Sequence, residues 1–324
     1  IDSHSDKSFI GAGSGSKIIS SSNQSFLGAG ATNTIKFASS SFIGAGRNNI
    51  IEGSLGNTTA IEALGGASVG NFSAKVSSII GGEDNVIYNS YETFIGGGKD
   101  NIISGSVQTI VGGSNTYHSD LPVWSSIVGG AENEIKNLNY GAFIGGGFRN
   151  KITNSDGPVD NFLRYSIGNV IVGGLSNSIT SDNSYVGIAG NGDNFIGGGN
   201  VNRIIDSFQA AIVAGSNNRI QTGTGMYNFI GGGSQNTITS AASYNAILGG
   251  ESNTIGSTYT DTFIIGSGIT ANASNTTFVE GLNASGNIIV GGTVDGVDVA
   301  TIGGYLNQAV TTTSTPTFAD LTIS

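Results

Sequence analysis

The sequence predicts an all-β chain, a parallel β-solenoid of about fifteen rungs of 15–18 residues. Three observations predict it. First, the ten residues Phe94–Ile103, FIGGGKDNII, recur as FIGAGRNNII from Phe42, FIGGGFRNKI from Phe143, FIGGGNVNRI from Phe195 and FIGGGSQNTI from Phe229. Looser copies start at Ser78, Ser126, Val170, Ala211 and Ala246. Second, each copy keeps a fixed length from its second residue to an asparagine six places on, while the return to the next copy varies. Third, nothing in the repeat region has the spacing of an amphipathic helix.

Taken in order, the second residues of the copies are Ile10, Leu27, Ile43, Leu64, Ile79, Ile95, Ile110, Ile127, Ile144, Ile171, Ile196, Ile212, Ile230, Ile247 and Ile264. They anchor short strands whose inner face they fill. A tight turn follows, in which glycine permits positive φ and close backbone approach. The turn ends at Asn33, Asn49, Asn85, Asn101, Asn133, Asn150, Asn177, Asn202, Asn218, Asn236 or Asn253. Stacked in a column, these amides reach the rungs above and below, ~4.8 Å away. A second strand and a return loop complete the rung. Insertions lengthen the loop after Tyr117, the segment 152–169 and the stretch from Ser178 to Asp193, where Ile188–Asn194 also fits the six-residue spacing.

The copies also carry a volume rule. Where the first residue is Phe the third is Gly, as in Phe94/Gly96, Phe143/Gly145 and Phe229/Gly231. Where the first is small or slim the third is large, as in Ser78/Ile80, Thr109/Val111 and Ala246/Leu248. Ala63/Gly65 and Phe263/Ile265 break the rule. Residues two apart share one face of a strand, and constant volume marks a packed face. One narrow coil cannot cover its own outer face, so neighbouring chains are expected there, three around an axis being the simplest closed arrangement for a fibre. The alternative is a wider triangular coil with both faces turned inward.

The GGGxxNxI copies resemble the left-handed β-roll repeats in the heads of trimeric autotransporter adhesins, and similar repeats in phage tail fibres, over about Phe9 to Ile264. The resemblance implies a left-handed coil and a homotrimeric, non-enzymatic, extracellular fibre for surface attachment, on a bacterial cell or a virion. Residues 1–270 are read as the solenoid and 271–324 as a short β connector leading to a further module. The chain begins at Ile1 without methionine or signal peptide and is read as an excerpt.

Composition agrees with a rod. Glycine is 54 of 324 residues, about twice the usual share, and proline only 3. A net charge of −10 with 12 basic residues argues against nucleic acid as a partner. No apolar run approaches the roughly 20 residues of a membrane span, and without cysteine there is neither disulfide nor thiolate chemistry. Two histidines, His4 and His118, supply neither a histidine metal cluster nor a repeated triad, and no cofactor is expected. An alternative of another class is a tailspike-like enzyme degrading a surface polysaccharide, with a carboxylate pair among Asp120, Asp156, Asp160, Asp182 and Asp193.

If this segment recognises a target, the insertions are where repeat architecture allows a site. Tyr117, His118, Asp120 and Trp124 suit a surface glycan, aromatic faces covering apolar sugar faces beside a carboxylate. Phe162, Arg164 and Tyr165 in the second insertion suit an acidic glycan. The competing reading is that these aromatics plug the loops onto the rod.

Overall fold

The computed structural model describes residues 1–2, 4–53, 74–106, 108–119, 124–137, 139–154, 166–181, 192–223, 225–239, 241–256, 258–283 and 285. The chain divides into two compact units, Ile1–Gly281 and Leu282–Ser324. The first is a parallel β-solenoid, and among the described residues it has no helix. Each rung carries two strands, and like strands of successive rungs pair in parallel to give two long sheets. The first sheet has fifteen strands, from Phe9–Ile10 to Thr277–Val279. The second runs from Lys17–Ile19 to Thr254–Ile255.

Register decides what lies inside. In the first sheet the anchors stack directly, Ile95 on Ile110 and Ile110 on Ile127. In the second sheet the middle residues stack likewise, Ile204 on Ile220 and Ile220 on Ile238. These two columns of isoleucine are fully buried and form the core. Isoleucine suits both demands, being stiff and β-branched in a strand and contributing about 1.5–3 kcal/mol when fully buried.

Two tight turns close each rung, and both are built alike: a residue with φ near +55°, a buried polar residue, then a strand. In the first turn the buried residue is the column asparagine, preceded by Asn48, Asp84, Asp100 or Glu132 in the left-handed conformation. Asn202 shows the bonding. Its Nδ2 donates to the Gly198 carbonyl of its own turn and to Gly215 of the next rung, both at 2.9 Å. Its Oδ1 accepts the Asn218 backbone N–H at 3.1 Å. The expected amide column is therefore present, and Thr116 alone stands in it where asparagine is missing between Asn101 and Asn133.

The second turn has a buried polar column of its own, which the repeat pattern does not predict. It runs through Ser25, Ser41, Ser77, Thr93, Gln108, Ser125, Asn169, Asn194, Asn228, Asn245 and Thr262, each just before a first-sheet strand. This resolves the phase of the third insertion. Asn194 belongs to the second turn, its amide donating to Ser207 and accepting from Ala210 N–H.

Leu64, expected as an anchor, lies outside the described residues; in the sheet Phe42–Ile43 pairs directly with Ser78–Ile79. Phe278 stacks on Ile264, so the sheet continues past residue 270. The triangular coil does not occur, since first and third residues of the first-sheet strands point outward from a two-sheeted rung.

Two adjacent glycines show how strictly the first turn is specified. A methyl on Gly199 (φ +89°) would lie 2.1 Å from the Gly215 carbonyl oxygen and 2.7 Å from Asn202 Nδ2, whereas one on Gly198 would meet nothing within 4 Å. We expect Gly199→Ala to lower the melting temperature through a loss of about 2–3 kcal/mol. Gly198→Ala should be neutral or stabilising by up to about 1 kcal/mol. Equal melting temperatures for the two variants would contradict this geometry.

Candidate functional site

The outer face of the first sheet is apolar along its whole length. Where a strand begins with Phe, its ring lies over the glycine two places on: Phe94 Cε1 stands 3.3 Å from the Cβ position of Gly96, and Phe143 likewise from Gly145. A side chain there would also meet backbone, the Val111 carbonyl oxygen lying 2.3 Å from the Gly96 Cβ position. The volume rule thus has a cause within each strand. Where the first residue is small, the third occupies the space, and Val111 and Leu248 are 50% and 52% exposed in the single chain. Near the start of the rod, Phe9, Phe26 and Phe42 stack ring on ring at 5.4 and 5.3 Å.

Of the residues expected around the first insertion, Tyr117, His118 and Trp124 are described, and His118 faces away from Tyr117. Tyr117 is half-exposed on the outer face of the second sheet, opposite Ile102 and Glu134 in register. His118 is the next residue of the same strand and therefore points the other way. It is fully buried, in the isoleucine column between Ile103 and Ile135, so it cannot meet a glycan on the surface. Trp124 occupies the left-handed position of the second turn, 66% exposed, with its ring edge-on to Tyr140 at 5.8 Å. Asp120, Phe162, Arg164 and Tyr165 lie outside the described residues, as do Asp156, Asp160 and Asp182.

The rung holding His118 departs from its neighbours in three columns at once. Histidine replaces isoleucine, Thr116 replaces asparagine, and Gln108 stands in the second polar column where serine or threonine flanks it. The three substitutions compensate in part. His118 Nδ1 donates to Gln108 Oε1 at 3.1 Å, and Thr116 Oγ1 donates to Asn101 Oδ1 at 2.6 Å. His118 Nε2 remains a buried acceptor without a partner. Burial pushes the pKa of this imidazole down to about 3, so it is neutral at physiological pH.

Charged side chains gather on the first turn and on the outer face of the second sheet, where ion pairs bridge rungs. Glu83 holds Arg47 from one neighbouring rung and Lys99, at 3.9 Å, from the other. Arg149 meets Glu132 at 2.5 Å and Lys151 meets Glu134 at 2.8 Å. Among the described residues no three His, Asp or Glu side chains are grouped to hold a metal ion. No protein-family model matches this chain, and no curated protein sequence is significantly similar to it.

Proposed function

We propose that this chain is a non-enzymatic segment of an extracellular surface-attachment fibre in which three copies pack through the outer face of the first sheet. The observation that carries the reading is the unbroken apolar strip on that face. At least one large side chain per rung, Phe in some rungs and Val, Ile or Leu in others, runs from Phe9 to Val279 with no charged residue among the first and third positions. Contiguous exposed apolar surface of this extent marks an interaction site, and three identical strips close around an axis. The rod then acts as spacer and display surface. The likeness of its repeats to adhesin heads and tail fibres supports the same reading.

Light scattering at micromolar concentration should give three times the mass of one chain. Phe143→Asp should abolish the trimer, because it places a charge where no partner exists, at a cost of several kcal/mol per chain. Thr237→Asp, on the outer face of the second sheet, should leave the mass unchanged. A single-chain mass for the unmodified protein would overturn the proposal. A membrane-anchor barrel encoded downstream would identify a bacterial adhesin; a self-cleaving chaperone or capsid genes nearby would identify a phage fibre.

A further inference from the structure

Parallel register places equivalent residues of neighbouring rungs ~4.8 Å apart, close enough for like charges to repel. Elsewhere the rod avoids or offsets this. Lys36 faces Glu52 at 2.6 Å, Glu83 sits between Arg47 and Lys99, Arg149 meets Glu132, and Lys151 meets Glu134. On the first turn Asp84 and Asp100 do fall at the same position of successive rungs, beside Arg47 and Lys99. On the outer face of the second sheet Arg203 and Arg219 are like charges in register with no such opposite charge beside them. Register pairs them directly on the outer face of the second sheet, where both are exposed. Neither lies within ion-pair distance of a carboxylate among the described residues, and the Arg219 guanidinium bonds only the Gln221 side chain. Asp206, just past the strand Arg203–Ile205, is nine-tenths buried.

The surroundings suit an anion that comes with hydroxyl groups. In the same column, Ser178 precedes the pair and Thr237 follows it, both part-exposed. The five strands Ser178–Ser181, Arg203–Ile205, Arg219–Gln221, Thr237–Thr239 and Thr254–Ile255 contain no Asp or Glu. A chain of net charge −10 thus sets two of its 12 basic residues side by side on a face free of compensating charge.

We propose that Arg203 and Arg219 form a binding site for an anionic polysaccharide lying along the rod. Each guanidinium presents a planar fork that takes a carboxylate or sulfate through two parallel hydrogen bonds. Successive sugars are about as long as a rung is high, so two acidic groups of one polymer can meet two successive arginines while Ser178 and Thr237 bond sugar hydroxyls. The negative charge of the rest of the rod is screened beyond about 8 Å at physiological ionic strength, so the attraction is local. The proposal rests on the attachment reading only in requiring that the second sheet face outward in the assembly.

The test uses the full chain with four immobilised probes: polygalacturonate for carboxylate, heparin for sulfate, dextran as neutral polymer, and polyphosphate as charge without sugar. Polygalacturonate or heparin should bind more tightly than the other two, and the tighter of them identifies the acidic group. Arg203→Gln with Arg219→Gln should weaken that binding by about tenfold or more. Arg219→Glu should abolish it and raise the melting temperature, since it turns a repelling pair into an attracting one. Binding unaffected by these variants, equal binding to dextran or polyphosphate, or none to either acidic polysaccharide would each overturn the proposal. Light scattering on the same samples separates a lost site from a lost assembly.

Discussion

Asn202→Leu should lower the stability of the solenoid by about 3–4 kcal/mol, measured by urea unfolding and by hydrogen exchange in the adjoining rungs. Leucine keeps asparagine's branching at Cγ and its number of heavy atoms, so no cavity opens and the loss is chiefly one of hydrogen bonds. It leaves the buried Asn218 N–H without an acceptor and removes the donors to Gly198 and Gly215. An unpaired buried polar group costs about 1–3 kcal/mol. Gly215 keeps the N–H of Asn200, which is why the total stays below three full penalties. Asn200→Ala, on the exposed side of the same turn, should change stability by no more than about 0.5 kcal/mol. A loss below about 1 kcal/mol for Asn202→Leu would show that the column is not what holds the turns together.

Acid should weaken the rod at one rung before the others. His118 is neutral in the folded chain, with its pKa pushed down to about 3, and regains an ordinary value near 6.5 when unfolded. Its contribution to stability is therefore complete above pH 6.5 and is lost progressively as pH falls from 6.5 toward 3. The unfolded chain binds the proton and the folded chain does not. Between pH 6.5 and 4.5 the loss is about 2–3 kcal/mol. The groups packed on the imidazole are Ile103, Ile135 and Gln108, none of them charged, so nothing nearby offsets it. His118→Ile with Gln108→Ser restores the residue types of the adjoining rungs and should remove this part of the pH dependence. Hydrogen exchange at pH 4.5 should report earliest opening around 108–119 in the native sequence. An identical pH profile for the double variant would refute the assignment.

The repetitive parts of the fold were legible because every rung repeats the same physical requirement. An anchor isoleucine, a glycine at positive φ and a bonded asparagine leave the same trace many times over. Single departures were harder to read. Leu64 sits in a stretch that mimics a copy, yet it lacks the asparagine and violates the volume rule, two signs in the sequence that set it apart from the other copies. The second polar column was there to be read, since Ser, Thr, Asn or Gln directly precedes most copies, but varied chemistry hid a shared position. Nearness in sequence groups His118 with Tyr117 and Trp124. Counting two residues on from Thr116, as isoleucine follows asparagine elsewhere, puts it in the core. The volume rule was legible as packing, whereas its cause, a phenylalanine ring folded over its own strand's glycine, required the backbone path.

The direction of the hydrogen bonds has a mechanical consequence. Both sheets bond from rung to rung, so these bonds lie along the rod and a pull on its ends loads them in tension. The covalent chain, by contrast, runs around the coil and carries little of that load while the rungs hold. If one contact between rungs gives way, the strands on either side remain tethered by a rung's length of peptide, which can pay out about 50 Å before it is taut. Tension thus feeds out slack one coil at a time, and a rod under a sudden load lengthens without parting.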